Sequence, residues 1–97
     1  MENIRNKLLE GNELYLKDER IALLRKSLEK GQRPYAIIIT CSDSRVIPEL
    51  IFSTLHGELF VIRSAGNTIG DNELGSIDYA VHHLKTNYIL VLGHTGC

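Results

Sequence analysis

The chain has 97 residues, a formal net charge of −1, 43% apolar residues and 24% charged ones. That size bounds it to one domain of ordinary globular balance. Charge so near zero, with no basic stripe, excludes a surface built for nucleic acid or for an anionic membrane. Its apolar runs are too short to span a bilayer, and Met1 to Arg5 lead into a charged segment instead of a signal-peptide apolar stretch. The expected setting is therefore the cytoplasm. Two cysteines could form one disulfide, but a reducing compartment and neighbouring His and Asp side chains favour a metal.

Taken in order, residues 1–30 read as a helical arm on a core of residues 31–97, the two making a single α/β domain. From Asn3 to Lys30, Ile4, Leu8 and Leu9 recur on one face, and Ile21, Leu24 and Leu28 repeat the pattern. Gly11 and Asp18 are expected to break this helix into pieces. Gly31 follows where a C-cap belongs, and Pro34 keeps the helix from continuing. The arm is either a solvated amphipathic helix or a surface that packs on a partner chain.

Tyr35 to Thr40 shows no polar alternation, as a central parallel strand covered on both faces should. A short helix beginning at Pro48 and running to Leu55 carries Leu50, Ile51 and Leu55, and Gly57 ends it. Leu59 to Arg63 reads as the second strand and Ser64 to Gly70 as a loop. Leu74, Ile77, Ala80, Val81 and Leu84 then recur at helical spacing, and Tyr88 to Leu92 reads as the third strand. The β-α-β-α-β order is that of a parallel α/β sheet.

Chemistry concentrates after the first and third strands. Cys41-Ser42-Asp43-Ser44-Arg45 sets a thiol, a carboxylate and a guanidinium at alternate positions, and His94-Thr95-Gly96-Cys97 sets an imidazole and a thiol three residues apart. Thiolate, imidazole and carboxylate are zinc ligands, and an arginine can clamp a carboxylate through two parallel hydrogen bonds. Side chains from strands 1 and 3 can meet at one ion only if those strands are neighbours, since adjacent strands lie about 4.8 Å apart and next-but-one strands about twice that. Right-handed crossovers then put strand 2 on the other side of strand 1. The resulting order is 2-1-3, with a switch point between strands 1 and 3, where open α/β sheets place their ligands. Either cysteine taken singly is more often an inert buried thiol, so the joint pattern carries the reading. His56, His82 and His83 are expected to have no role, Gly66 and Gly70 to be turn residues, and Asn67 to be a local cap.

Cys41-x-Asp43-x-Arg45 together with His94-x-x-Cys97 resembles the signature of the β-class carbonic anhydrases, zinc enzymes that interconvert carbon dioxide and bicarbonate. Arg63-Ser64-Ala65-Gly66-Asn67 resembles the loop after that family's second strand, and the similarity runs from about Gly31 to Cys97. The resemblance implies Zn2+ on Cys41, His94 and Cys97, with a fourth position left for water that ionises near neutrality. Asp43 and Arg45 resemble the family's catalytic dyad, in which the arginine holds the carboxylate off the metal. Released, Asp43 would be the fourth ligand of a closed, inactive site. Gln32, Phe60, Ala65 and Tyr79 match substrate-pocket positions of the plant-like branch, where some reach the zinc of a neighbouring protomer. A homodimer or higher homo-oligomer is implied.

Ile38 stands where another branch has the tryptophan of an inhibitory bicarbonate site, so that control is not expected. Members usually run to about twice this length, so the chain is expected to lack the family's C-terminal half and to leave the third strand's edge and one sheet face short of cover. Two other roles stay open: a zinc-binding or assembly fragment without turnover, and a relative acting on carbon disulfide or carbonyl sulfide.

Overall fold

The computed structural model describes residues 3–97, which divide into two compact units meeting after Gly31. The first holds α1 (Ile4–Lys17) and α2 (Glu19–Ser27). Asn3 starts α1 by accepting a 3.0 Å hydrogen bond from the Asn6 N–H. Asp18 separates the helices: its backbone is extended, its N–H closes the last turn of α1 on Tyr15, and its carboxylate accepts from the Ile21 N–H at 3.0 Å. The break expected at Gly11 does not occur. A glycine inside a helix costs only about 1 kcal/mol, and the rest of the 14-residue helix carries it through. The Arg25 guanidinium lies 4.7 Å over the Tyr15 ring and ties α2 to α1.

The second unit is a three-stranded parallel sheet in the order β2-β1-β3, formed by β1 (Ala36–Cys41), β2 (Leu59–Ser64) and β3 (Ile89–Val91). All six residues of β1 are buried, as the unbroken apolar run requires. Its register puts Ala36 opposite Leu59 and Cys41 opposite Ser64 on one side, and Ile37 opposite Ile89 on the other. Cys41 is therefore the last residue of the strand and not the first of a loop. Alternate residues Ile37 and Ile39 join Ile62 and Ala80 in the core, with Phe60, Ile77, Val81 and Leu84 packed against them. The opposite face, at Ala36 and Ile38, carries an apolar depression of about 360 Å³ bordered by Phe52 and Tyr88.

Strands β1 and β2 each end one residue later than the sequence reading, and three further elements differ more in extent. Helix α3 (Pro48–Ile51) is a single turn, because Ser53 takes a left-handed φ of 52° and the Thr54 N–H wraps back to the Glu49 carbonyl. Helix α4 (Asp71–Asp78) begins where the Glu73 carboxylate accepts from the Gly70 N–H at 2.7 Å. It then widens into a π-helical turn, Tyr79–His83, whose end is set by the Leu84 N–H bonding to the Tyr79 carbonyl and by Lys85 at φ 61°. Strand β3 is short, but Tyr88 and Leu92 still exchange backbone hydrogen bonds with Ile37 and Ile39 just outside it.

Candidate metal centre

The carboxyl ends of β1 and β3 bring three soft or borderline donors together. The Sγ atoms of Cys41 and Cys97 and a ring nitrogen of His94 all lie within 4.8 Å of one another. The two sulfurs are 3.9 Å apart and both thiols are free. That separation is far beyond a disulfide bond, yet it is close to the edge of a tetrahedron about a zinc ion, roughly 3.8 Å for Zn–S bonds of about 2.3 Å. The imidazole is already oriented for such an ion. Its Nδ1 is 3.0 Å from the Thr95 carbonyl oxygen, which can only accept, so Nδ1 carries the hydrogen and the lone pair is on Nε2. Nε2 is buried and has no partner with hydrogen-bond geometry. Two thiols and an unpartnered imidazole nitrogen fit Zn2+ well.

Electrostatics separate the two thiols. The neighbouring His94 ring, followed by the N–H groups of Asp43 and Gly66 that point at its sulfur from 3.4 and 3.2 Å, lowers the Cys41 thiol to about 6. His94 is raised in turn, chiefly by Cys41. Cys97 moves the other way, because it shares a hydrogen with Cys41 and its own charge would face the thiolate already there. Beside this cluster Arg45 grips Asp43 three times: its backbone N–H and Nε reach Oδ1 at 2.8 and 3.0 Å, and Nη2 reaches Oδ2 at 2.7 Å. That clamp, side chain first, holds the Asp43 carboxyl well below the usual carboxylate range. Nη2 also donates to the Gly96 carbonyl at 3.2 Å, so Arg45 spans both ligand-bearing segments.

The site residues named from sequence fall into two groups. Cys41, Asp43, Arg45, His94 and Cys97 are gathered at one end of the sheet, and Ala65 adjoins them, since it precedes the Gly66 N–H that meets the Cys41 sulfur. Gln32, Phe60 and Tyr79 lie elsewhere in the chain. Phe60 pairs with Ile37, four residues before Cys41 and so about 13 Å away along the strand. Tyr79 packs near Phe60 with ring centroids 6.2 Å apart, and its ring stacks on His83 at 4.9 Å. His82, expected to be idle, sits 3.3 Å from Asp78. Gln32 is exposed and precedes β1 at its far end.

Sequence reasoning missed the part played by Arg63. From β2 its Nε donates to the Cys41 carbonyl at 3.2 Å and its Nη2 to the Asp43 carbonyl at 2.9 Å. Asn67, read as a local cap, instead donates from Nδ2 to the Leu92 carbonyl at 3.1 Å, just ahead of His94. The one available signal was the Arg63 to Asn67 run, which spacing alone does not tie to either loop.

Fold and donor set together define a parallel α/β protein with a cysteine- and histidine-lined centre at its strand ends. The family model described as carbonic anhydrase matches residues 36–97, and the chain belongs to that family, in its β class. It is 49% identical over 73 residues to a carbonic anhydrase of Mycolicibacterium smegmatis, a match covering 75% of this chain and 35% of the relative. Among solved structures, the β-carbonic anhydrase CcaA superposes with a TM-score of 0.92 at 37% identity, covering 98% of this chain and 50% of that one. Tetrameric β-carbonic anhydrases from the filamentous ascomycete Sordaria macrospora give a TM-score of 0.87 at 33% identity, with 99% and 51% covered. The chain thus spans about half the length of these solved relatives.

Proposed function

We propose that this chain carries the zinc centre of an enzyme that hydrates carbon dioxide reversibly to bicarbonate, with Zn2+ held by the Cys41 and Cys97 thiolates and by His94 Nε2. The observation that carries the proposal is the buried, unpartnered Nε2 set beside two free sulfurs 3.9 Å apart. Bound there, Zn2+ supplies the Lewis acidity that brings the pKa of water down to about 7.

The chain's own residues do the rest. Asp43 stays ionised because Arg45 satisfies it from both oxygens, and its remaining lone pairs can accept a hydrogen bond from the reacting water. Arg45 also keeps that carboxylate turned away from the three donors and is itself anchored on Gly96. Gln32, Phe60 and Tyr79 form part of the substrate pocket of a second copy, as in the plant-like branch. The placement of Phe60 and Gln32 toward the end of β1 away from Cys41 and the 44% exposure of Tyr79 support that reading and the homodimer it requires. A cytoplasmic setting, in which thiols are kept reduced, is the one that two cysteines acting as metal ligands call for.

Metal analysis with stopped-flow hydration tests the assignment. Stoichiometric zinc is expected in the parent and little in His94→Ala, while Asp43→Ala should retain zinc and hydrate more slowly. A His94→Ala variant that holds as much zinc as the parent would place the centre elsewhere.

A further inference from the structure

The segment from Arg63 to Asn67 offers no donor to the metal, yet it touches one of the segments that do and, at Leu92, the strand end that leads into the other. We propose that it is a brace that sets the spacing of the two ligand-bearing loops, with Arg63 and Asn67 as positioning residues. The inference rests on the zinc reading above for its purpose, though its geometry is independent of any ion.

Arg63 works on the first loop through the main chain. Its guanidinium bonds the carbonyls of Cys41 and Asp43 together, at 3.2 and 2.9 Å. A planar fork with fixed donor angles can hold two carbonyls at once, and by fixing the peptide planes on either side it restrains the Ser42–Asp43 peptide between them, whose N–H points at the Cys41 sulfur. The chain then turns sharply. Gly66 and Asn67 take successive left-handed φ values of 70° and 62°, a conformation that glycine adopts freely and asparagine tolerates. That turn delivers the Gly66 N–H to the same sulfur at 3.2 Å. It also sends the Asn67 amide to the Leu92 carbonyl, which the Thr40 hydroxyl bonds as well at 3.0 Å. Leu92 is two residues before His94, so five consecutive residues reach the first ligand by main chain and sulfur, and the approach to the second by a carbonyl.

An ordinary loop brace would contribute stability alone. A positioning role makes a further demand: loosening it should separate the donors and weaken the metal even where the fold survives. Outer contacts of this kind typically change metal affinity by 10–100-fold.

The test uses the full chain, with zinc affinity by chelator competition, visible absorption of the cobalt form, and hydrogen exchange of the metal-free protein. Arg63→Ala should weaken zinc by 10–100-fold, alter the cobalt spectrum and speed exchange at the amides of residues 42–46. Arg63→Lys keeps the charge and stem but cannot bridge two carbonyls in one plane, so it should recover only part of the affinity, and it carries the test if Arg63→Ala does not fold. Asn67→Gly keeps the left-handed turn while deleting the donor, and should weaken zinc without unfolding the sheet. Parent-like affinity and spectra in folded Arg63→Lys and Asn67→Gly would overturn the brace while leaving the zinc reading intact. A parent that binds no zinc, with Arg63 variants that still exchange faster at residues 42–46, would overturn the zinc reading and leave only the main-chain clamp.

Discussion

The two loops that carry the donors are built differently. Residues 41–45 grow directly out of a fully buried strand and are pinned by Arg63 on two carbonyls, by Arg45 on Asp43, and by two N–H groups on the Cys41 sulfur. Residues 94–97 follow a three-residue edge strand and have fewer ties, from the His94 ring to its neighbour's carbonyl, from Arg45 to Gly96 and from the Cys97 thiol to the Cys41 sulfur. Cys41 is 6% exposed, whereas Cys97 is open to solvent. The lesson is that one half of the centre is preformed by the sheet, while the other half is finished by what it closes upon.

The sharpest way to break the comparison is to remove each sulfur. Cys41→Ser should abolish zinc uptake and also lower the thermal midpoint of the metal-free chain, because two N–H donors lose the anion they point at. Cys97→Ser should reduce zinc affinity just as plainly but leave the metal-free midpoint near the parent's, as scanning calorimetry without metal would reveal.

Arg45→Ala comes next. It should cut hydration by about 10–100-fold while zinc remains bound, since it frees Asp43 from its clamp and Gly96 from its tether. A released Asp43 can turn onto the metal, so cobalt absorption should differ between Arg45→Ala and the double variant Asp43→Ala/Arg45→Ala.

Protons should distinguish the loops too. Cys41, held at about 6, is already a thiolate near neutrality, whereas His94 and Cys97 are both shifted toward keeping their protons. Zinc binding near pH 7.5 should therefore expel protons chiefly from the second loop, measurable with a weakly buffered indicator, and affinity should drop by roughly tenfold between pH 7.5 and 6.5. In the metal-free chain the depressed Cys41 contributes stability that is fully present above the ordinary thiol value and lost as pH falls through about 6. His94, raised, contributes in the opposite sense: its share is present below its ordinary value and lost as pH rises through the shifted one. Cys97, also raised, withdraws stability as pH climbs past the ordinary thiol range.

The smallest effect belongs to Gly96→Ala. Gly96 has a φ of 71°, and an added Cβ would meet the Arg45 guanidinium only at ordinary contact distances of 3.6 and 3.7 Å. The left-handed backbone alone should then cost about 1–2 kcal/mol, read by denaturant unfolding, with the first loop unaffected.

Much of the fold is legible in the residues because a few of them leave little choice. Ile37 to Ile39 cannot alternate and so must be buried on both faces, and donors at the ends of two strands require those strands to be adjacent, which yields the order 2-1-3. What escaped was decided by backbone conformation and by long side chains. No propensity announces that Ser53 or Lys85 will turn left-handed and cut a helix short, nor that Gly11 will be tolerated inside one. Nor does sequence spacing reveal that Arg63, on β2, reaches across to carbonyls of another strand's end. The cluster of Cys41, His94 and Cys97 was readable because its members sit at strand ends, whereas the placement of Phe60 and Tyr79 away from it depends on register and helix packing.

The pairing of β1 with β3 also bears on how the chain meets its metal during folding. The Thr40 to Leu92 bond joins residues 52 apart in sequence, and parallel pairings that close so large a loop form slowly. Until they do, Cys41 is remote from the other donors, but His94 and Cys97 are already neighbours along the chain. Zinc present from the outset can occupy that local pair in the unfolded ensemble, and a ligand bound to both states stabilises the native one by less than simple mass action suggests. Zinc should for that reason raise the unfolding free energy of the chain by less than its affinity for the native centre alone implies, which denaturant unfolding with and without zinc would show.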